Sequence, residues 1–207
     1  MPAIALLSQK GGAGKTTLAV HLAVCSGDGL IIDTDKQKSA AGWWREREGA
    51  LPELVTATAQ SVQKALSSTK RQWVFIDTPP RHEDGLRAVC AVSDFILIPA
   101  RPGILDLRAI ADTVGLVDNK AAVIVLNSCP PGRGFAEVGM VTEARRALAV
   151  YGLPICPVAI SHRVAYSHAL NGGLAVTEFE PEGKAAGEIR RLWEWLWQNV
   201  NLSLIHI

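Results

Sequence analysis

Ala3-Ile4-Ala5-Leu6-Leu7-Ser8-Gln9-Lys10-Gly11-Gly12-Ala13-Gly14-Lys15-Thr16-Thr17 decides how this chain folds. An apolar run with the makings of a buried strand ends in glycines and Gly-Lys-Thr, and a helical pattern continues over residues 18–24. Strand, glycine turn and helix in this order form a phosphate-binding loop. Glycines let backbone N–H groups close around phosphate oxygens where side chains would block the approach. The helix beginning near Lys15 aims the positive end of its dipole at the same anion. Lys15 is placed to neutralise the β- and γ-phosphates, and the Thr16 hydroxyl to ligate Mg²⁺. Gly11, Gly12, Ala13, Gly14, Lys15, Thr16 and Thr17 are therefore the expected nucleotide contacts. One position departs from the general pattern G-x-x-x-x-G-K-[ST], which opens on glycine where this chain has Gln9.

Outward from the loop, short apolar runs alternate with helical patterns. Residues 30–35, 54–58, 73–77, 95–98, 121–126 and 155–160 read as strands, with helices between them at 105–117 and 137–151 among others, and from Val164 and Lys184 onward. Such alternation predicts an α/β fold, a single P-loop domain with a mostly parallel sheet covered by helices on both faces. Ligands of such sheets bind at the carboxyl ends of the strands. That edge should carry the loop, Asp33 and Asp35, Asp77 and Asn127. Asp77 ends an apolar strand, where a carboxylate either holds Mg²⁺ beside the phosphates or caps the next helix. Asp33 and Asp35, two apart, would share one side of a strand tip.

At 207 residues the chain is long enough for one substantial core, and its hydrophobic fraction of 48% suits strands buried on both faces. Lys and Arg number 21 against 20 Asp and Glu, a net charge of +1. Any nucleic-acid contact must then come from a local patch. Cys25, Cys90, Cys129 and Cys156 are scattered without a C-x-x-C pair, which argues against zinc or a disulfide framework and for a reducing compartment. The N-terminus enters a strand directly and no apolar run is long enough to span a membrane, so a cytoplasmic protein is expected. Residues 1–201 should form the domain. Leu202-Ser203-Leu204-Ile205-His206-Ile207 reads like a translated transposase sequencing adaptor and is expected to lie outside it.

The loop resembles the deviant Walker A of the ParA/MinD family of ATPases, in which the position of Gln9 varies and an extra lysine, here Lys10, is the hallmark. The likeness continues through Val92-Ser93-Asp94, Pro102, Asp106-Leu107, Arg163-Val164-Ala165-Tyr166, Gly172-Gly173 and residues 183–189, and covers essentially the chain to Val200. It is closest to short plasmid-partition ATPases that lack an N-terminal helix-turn-helix. The resemblance implies a slow, Mg²⁺-dependent ATPase and an ATP-dependent homodimer. In that dimer Lys10 reaches the partner copy's phosphates, making Lys10, Lys15, Asp35 and Asp77 the catalytic set. Asp35 would orient the attacking water, with Thr16, Asp33 and Asp77 at or near the metal. Where partition proteins commonly read Asp-Pro-Gln, this chain has Asp35-Lys36-Gln37, which adds a charge near the phosphates and loosens the turn. Asn127 either hydrogen-bonds the adenine, as in relatives, or forms the turn before Cys129-Pro130-Pro131.

By the same resemblance the protein segregates DNA, associates with the nucleoid and answers to a centromere-binding ParB-type partner. Sequence-independent DNA contacts would fall on Arg163, Lys184, Arg190 and Arg191, with Arg145 and Arg146 as further candidates. Glu178, Glu180, Glu182 and Glu188 lie among them, and mixed charge of this kind also describes an ordinary solvated surface. In the last helix Ile189, Leu192, Trp193, Leu196 and Val200 form a core-facing stripe, with Trp195 nearly opposite and expected to be exposed. A Trp flanked by arginines on such a helix is also what a MinD-like membrane anchor carries, the alternative to DNA as the working surface.

Overall fold

The strands form where the sequence offers apolar side chains to both faces of a sheet. In the computed structural model, which describes residues 1–49, 51–80, 83–132 and 138–205 (side chains other than Arg108 and 201–205), six such runs pair. β1 (Ala3–Leu6), β2 (Gly29–Asp33), β4 (Trp73–Asp77), β5 (Phe95–Ala100) and β6 (Ala122–Leu126) are buried throughout, and β3 (Glu53–Thr56) is a half-exposed edge. Their order is β3-β2-β4-β1-β5-β6 and every pair is parallel. The α/β architecture expected from the sequence is the one observed.

Alternation along each strand separates two layers. Ile4, Leu6, Trp73, Phe75, Leu97, Val123 and Val125 pack beneath α1 (Lys15–Cys25), α2 (Ser39–Glu46), α8 (Val164–Asn171), α9 (Val176–Phe179) and α10 (Lys184–Ile205). Their neighbours Ala5, Val74, Ile76, Ile98, Ile124 and Leu126 face α3 (Val62–Ser68), α4 (Glu83–Val92), α6 (Ile110–Val117) and α7 (Gly139–Leu148). Cys90, Cys129 and Cys156 are small apolar members of these cores. His21 anchors α1 against α9: its Nδ1 accepts from the Val176 N–H at 3.3 Å and its ring lies 5.2 Å from that of Tyr166. Burial pushes its pKa down to about 3, against the weaker pull of Glu178.

Register then places the site. Leu6 is level with Asp77, and Asp77 with Asp33, so the ends of β1, β4 and β2 stand in a row. The loop after β1 emerges between β4 and β5, where connections run off in opposite directions, the crevice in which such sheets bind ligands.

Several expectations need correction. Residues 155–160 do not extend the sheet as a strand: only Ile155 and Ser161 make isolated parallel bridges, to Ile124 and Cys129. Pro157 between them has no N–H to give a ladder, and the carbonyls of Cys156 and Pro157 accept from the Arg145 guanidinium at 2.7 and 2.9 Å. The helix expected over 105–117 breaks at Ala109 into α5 (Ile104–Arg108) and α6, where the Tyr151 hydroxyl donates to the Leu107 carbonyl. The strand of Asp33 and Asp35 stops at Asp33. In α10 the exposed tryptophan is Trp197, at 52% accessibility, and Trp195 packs on the core. Trp195 lies seven residues beyond buried Glu188, on the same flank of the helix. The helix continues through Ile205 rather than finishing before Leu202. Glu137, the expected start of the 137–151 helix, is outside the described residues.

Candidate nucleotide site

The loop is held in shape by its glycines and by three side chains, those of Asn127, Lys15 and Gln9. Gly14 sits at φ +100°, and a Cβ there would come within 2.0 Å of the Asn127 amide nitrogen. That amide donates to the Ala13 carbonyl at 2.7 Å, holding the loop from β6. From inside, the Lys15 Nζ donates to the carbonyls of Ser8 at 3.0 Å and Lys10 at 3.3 Å. Burial lowers the Lys15 pKa, and the charges of Asp77 and Asp35 oppose this. Gln9, the departure from the general pattern, ties the loop to α6: its N–H donates to Thr113 Oγ1 and its amide to the Asp112 carbonyl, each at 3.2 Å.

Beside the loop stand two buried carboxylates with different surroundings. Asp33 accepts backbone N–H bonds on both oxygens, from Asp35 at 3.0 Å and Ala41 at 3.1 Å. Asp77 receives the Thr16 hydroxyl on Oδ2 at 2.6 Å, and its buried Oδ1 has no hydrogen-bond partner among the described residues. Burial pushes the Asp77 pKa up to about 7; the Thr16 hydrogen bond opposes this and the charge of Asp33 adds to it. An orphaned carboxylate oxygen beside a threonine hydroxyl is the hard-oxygen donor set that Mg²⁺ takes. The residues fit the ion, and Asp33, with both oxygens engaged, offers it less. Asp77 is also fixed from behind, its carbonyl accepting from the Thr34 N–H and hydroxyl at 2.9 and 2.7 Å.

The loop opens on a cavity of about 980 Å³ whose wall includes Asp35, Gln37, Trp43, Arg101, Asn127, Ser161 and Arg163. Asp35 folds into its own turn, its Oδ1 accepting from the Gln37 N–H at 2.9 Å. Lys36 lines a separate recess with Thr58 and Asp84, so the charge expected near the phosphates is placed on the far side of the turn. Lys10 does not line the nucleotide cavity; its amine pairs with Asp106 on α5 at 2.8 Å. At the far wall Glu188 of α10, 5% exposed, collects the Ser161 N–H and hydroxyl at 3.0 and 2.8 Å and the Arg163 guanidinium at 2.7 Å.

That last contact changes the reading of the basic candidates. Arg163 is engaged by Glu188 in the cavity wall, and Arg190 donates to the Pro181 carbonyl at 2.7 Å. Arg145 is spent on the carbonyls of Cys156 and Pro157. Lys184 and Arg191 are exposed, seven residues apart on one face of α10, with the Arg191 guanidinium over Gly187. Sequence reasoning missed Arg101, Ser161, Glu188 and the tie from Gln9. Arg101, directly after β5, was the one with a signal, since it sits at a strand's carboxyl end.

Residues 4–176 match the family described as the CobQ/CobB/MinD/ParA nucleotide binding domain. The chain belongs to that family. It is 31% identical over 207 residues to the maintenance of carboxysome distribution protein A of Gloeobacter kilaueensis, covering 93% of each chain. Protein ParA of Rhizobium radiobacter is 28% identical over 185 residues, 81% of each. Among solved structures, a variant of Cyanothece McdA in complex with ATP superposes with a TM-score of 0.74 at 18% identity, over 99% of this chain and 96% of that one. MinD in the MinC:MinD complex of Aquifex aeolicus gives 0.75 at 17%, over 96% of each. The expected family is therefore found, and the chain is a ParA/MinD-type ATPase using ATP and Mg²⁺. Among the described residues no helix is long and apolar enough to cross a membrane.

Proposed function

We propose that this ATPase is a DNA-segregation switch: two copies close on two ATP molecules, the closed pair binds DNA without reading its sequence, and a ParB-type centromere-binding partner triggers hydrolysis and release. The observation that carries the reading is the position of Lys10. Its amine lies outside its own cavity, on Asp106, with the two side chains 37% and 20% exposed. An exposed pair of this kind is worth only about 0–1 kcal/mol, so a second copy's phosphates can compete for the lysine. Lys15 and the N–H groups of residues 11–17 bind the phosphates of the chain's own ATP. Thr16 and Asp77 would hold Mg²⁺, which neutralises charge on the phosphates. Asp35 orients the attacking water, and Asp33 supports it by fixing the turn. Asn127 acts on the loop through Ala13, which leaves the base to the wall around Ser161. The γ-phosphate then favours the closed pair and its loss releases it.

Lys184 and Arg191 are the basic side chains of α10 best supported as DNA contacts, with Arg190 beside them and Arg163 secondary. Because they meet phosphates alone, affinity should fall steeply with salt. The test is anisotropy of random-sequence duplex DNA with a non-hydrolysable ATP analogue, alongside light scattering for the dimer. Analogue-dependent binding lost in Lys184→Glu/Arg191→Glu supports the reading. A monomer at saturating nucleotide, or no DNA binding by a dimer, overturns it. The exposed Trp197 favours one rival, a MinD-like membrane surface, which predicts analogue-dependent binding to anionic vesicles instead.

A further inference from the structure

Among the described residues three cations stand about the phosphate loop, and the structure leaves them in different states. Lys15 is inside, on the carbonyls of Ser8 and Lys10. Lys10 is outside, paired with Asp106. Arg101 stands in the cavity wall with no hydrogen-bond or ion-pair partner among the described residues, and a Cβ on Gly12 would lie 3.5 Å from its Nη2.

Its backbone is tied to the loop. Arg101 follows the last residue of β5, whose carbonyl (Ala100) accepts from the Asn127 N–H at 2.8 Å, and Asn127 grips the Ala13 carbonyl. On the other side buried Pro102 fixes the chain, and Asp106 of the same segment holds Lys10. An uncommitted guanidinium is thus set beside the crest of a loop whose glycines exist to admit phosphate oxygens. Its planar fork suits a phosphoryl group, and unlike that of Arg163 in the same wall it is not engaged by a carboxylate.

We infer that Arg101 is a phosphate-contacting residue, taking the terminal phosphate of bound ATP at Gly12 and stabilising the charge that grows on it during transfer. Lys15 holds the inner side of the polyphosphate and Arg101 the outer. Guanidinium groups so placed act on phosphoryl transfer by electrostatics alone, with no proton to move. The inference rests on the nucleotide site and not on the proposal about DNA.

The test compares Mg²⁺ with a non-hydrolysable ATP analogue and Mg²⁺ with ADP, by calorimetry on the full chain, for wild type, Arg101→Ala and Arg101→Lys. Arg101 is exposed, and a thermal melt without nucleotide should show all three folded alike. Losing one charge-assisted hydrogen bond should weaken the analogue roughly tenfold or more in Arg101→Ala while ADP affinity holds. Arg101→Lys should recover part of the affinity, and turnover should fall further in kcat than in KM. Unchanged analogue affinity, or an equal loss for analogue and ADP, would overturn the assignment. A wild type that binds ADP but not the analogue would overturn it as well, whereas a wild type that binds neither would remove the nucleotide site itself.

Discussion

The two halves of the phosphate loop are built differently. The inner half, Ala13 to Thr17, is gripped from several sides: Asn127 on the Ala13 carbonyl, Asp77 on the Thr16 hydroxyl, and Lys15 buried beneath. Gly11 and Gly12 of the outer half are exposed, and the side chain of Lys10 beside them is held by one surface ion pair. The inner half is therefore preorganised for a ligand that must fit one way. The outer half costs little to rearrange, as a surface that meets another molecule requires.

The sharpest way to break this comparison is Lys15→Ala, which removes the buried cation and should lower ATP affinity by at least about a hundredfold in calorimetry. Next comes a matched pair of glycines. Gly14→Ala puts a methyl into Asn127 at a φ of +100° and should cost about 1–3 kcal/mol of stability from backbone strain alone, with loss of nucleotide binding. Gly11→Ala meets nothing within 4 Å and should melt like wild type. If both melt alike, the inner half is not the tighter one.

The inner region extends down α1 to His21, whose effect is read against pH. The unfolded chain takes up a proton near pH 6.5, whereas the folded one resists until about 3. The unfolded state thus binds more protons in that window, and stability is lost as pH falls through it. At pH 5 the loss should be about 2 kcal/mol relative to pH 7. His21→Asn, which keeps an acceptor for the Val176 N–H, should flatten the melting profile over that range; an unaltered slope would place the acid sensitivity elsewhere. The smallest expected effect is outside. Asp106→Asn should leave the melting temperature within about a degree or two and raise ATP-dependent dimerisation no more than about fivefold. A large destabilisation there would mean the outer half is as firmly built as the inner.

The loop, the sheet and the row of acids were legible because they depend on local order: an apolar run, a turn residue, an acid at the end. Asp33 and Asp77 look alike in the sequence, since each ends a buried strand. What separates them is the turn at Asp35 and Ala41, which saturates one carboxylate and leaves the other with a bare oxygen. Asn127 reads in the sequence as a base contact or a turn former, and its amide in addition donates to the Ala13 carbonyl 114 residues away. Arg163 looked like a surface cation until α10 brought Glu188 to it. Trp195, expected to be exposed, packs on the core instead, and Trp197 is the exposed one. Each of these turns on a contact between distant segments, about which periodicity and propensity say nothing.

The position of β1 bears on how the chain comes together during synthesis. β1 is flanked by β4 and β5, which are made some seventy and ninety residues after it, and the Ala3 N–H waits for the Asp94 carboxylate. Pairing at such sequence separation is slow and comes late. The phosphate loop, though translated before either of these neighbours, acquires its shape only after β5 exists. A nascent chain stalled before β5 would therefore be expected to carry the whole motif and yet hold no nucleotide.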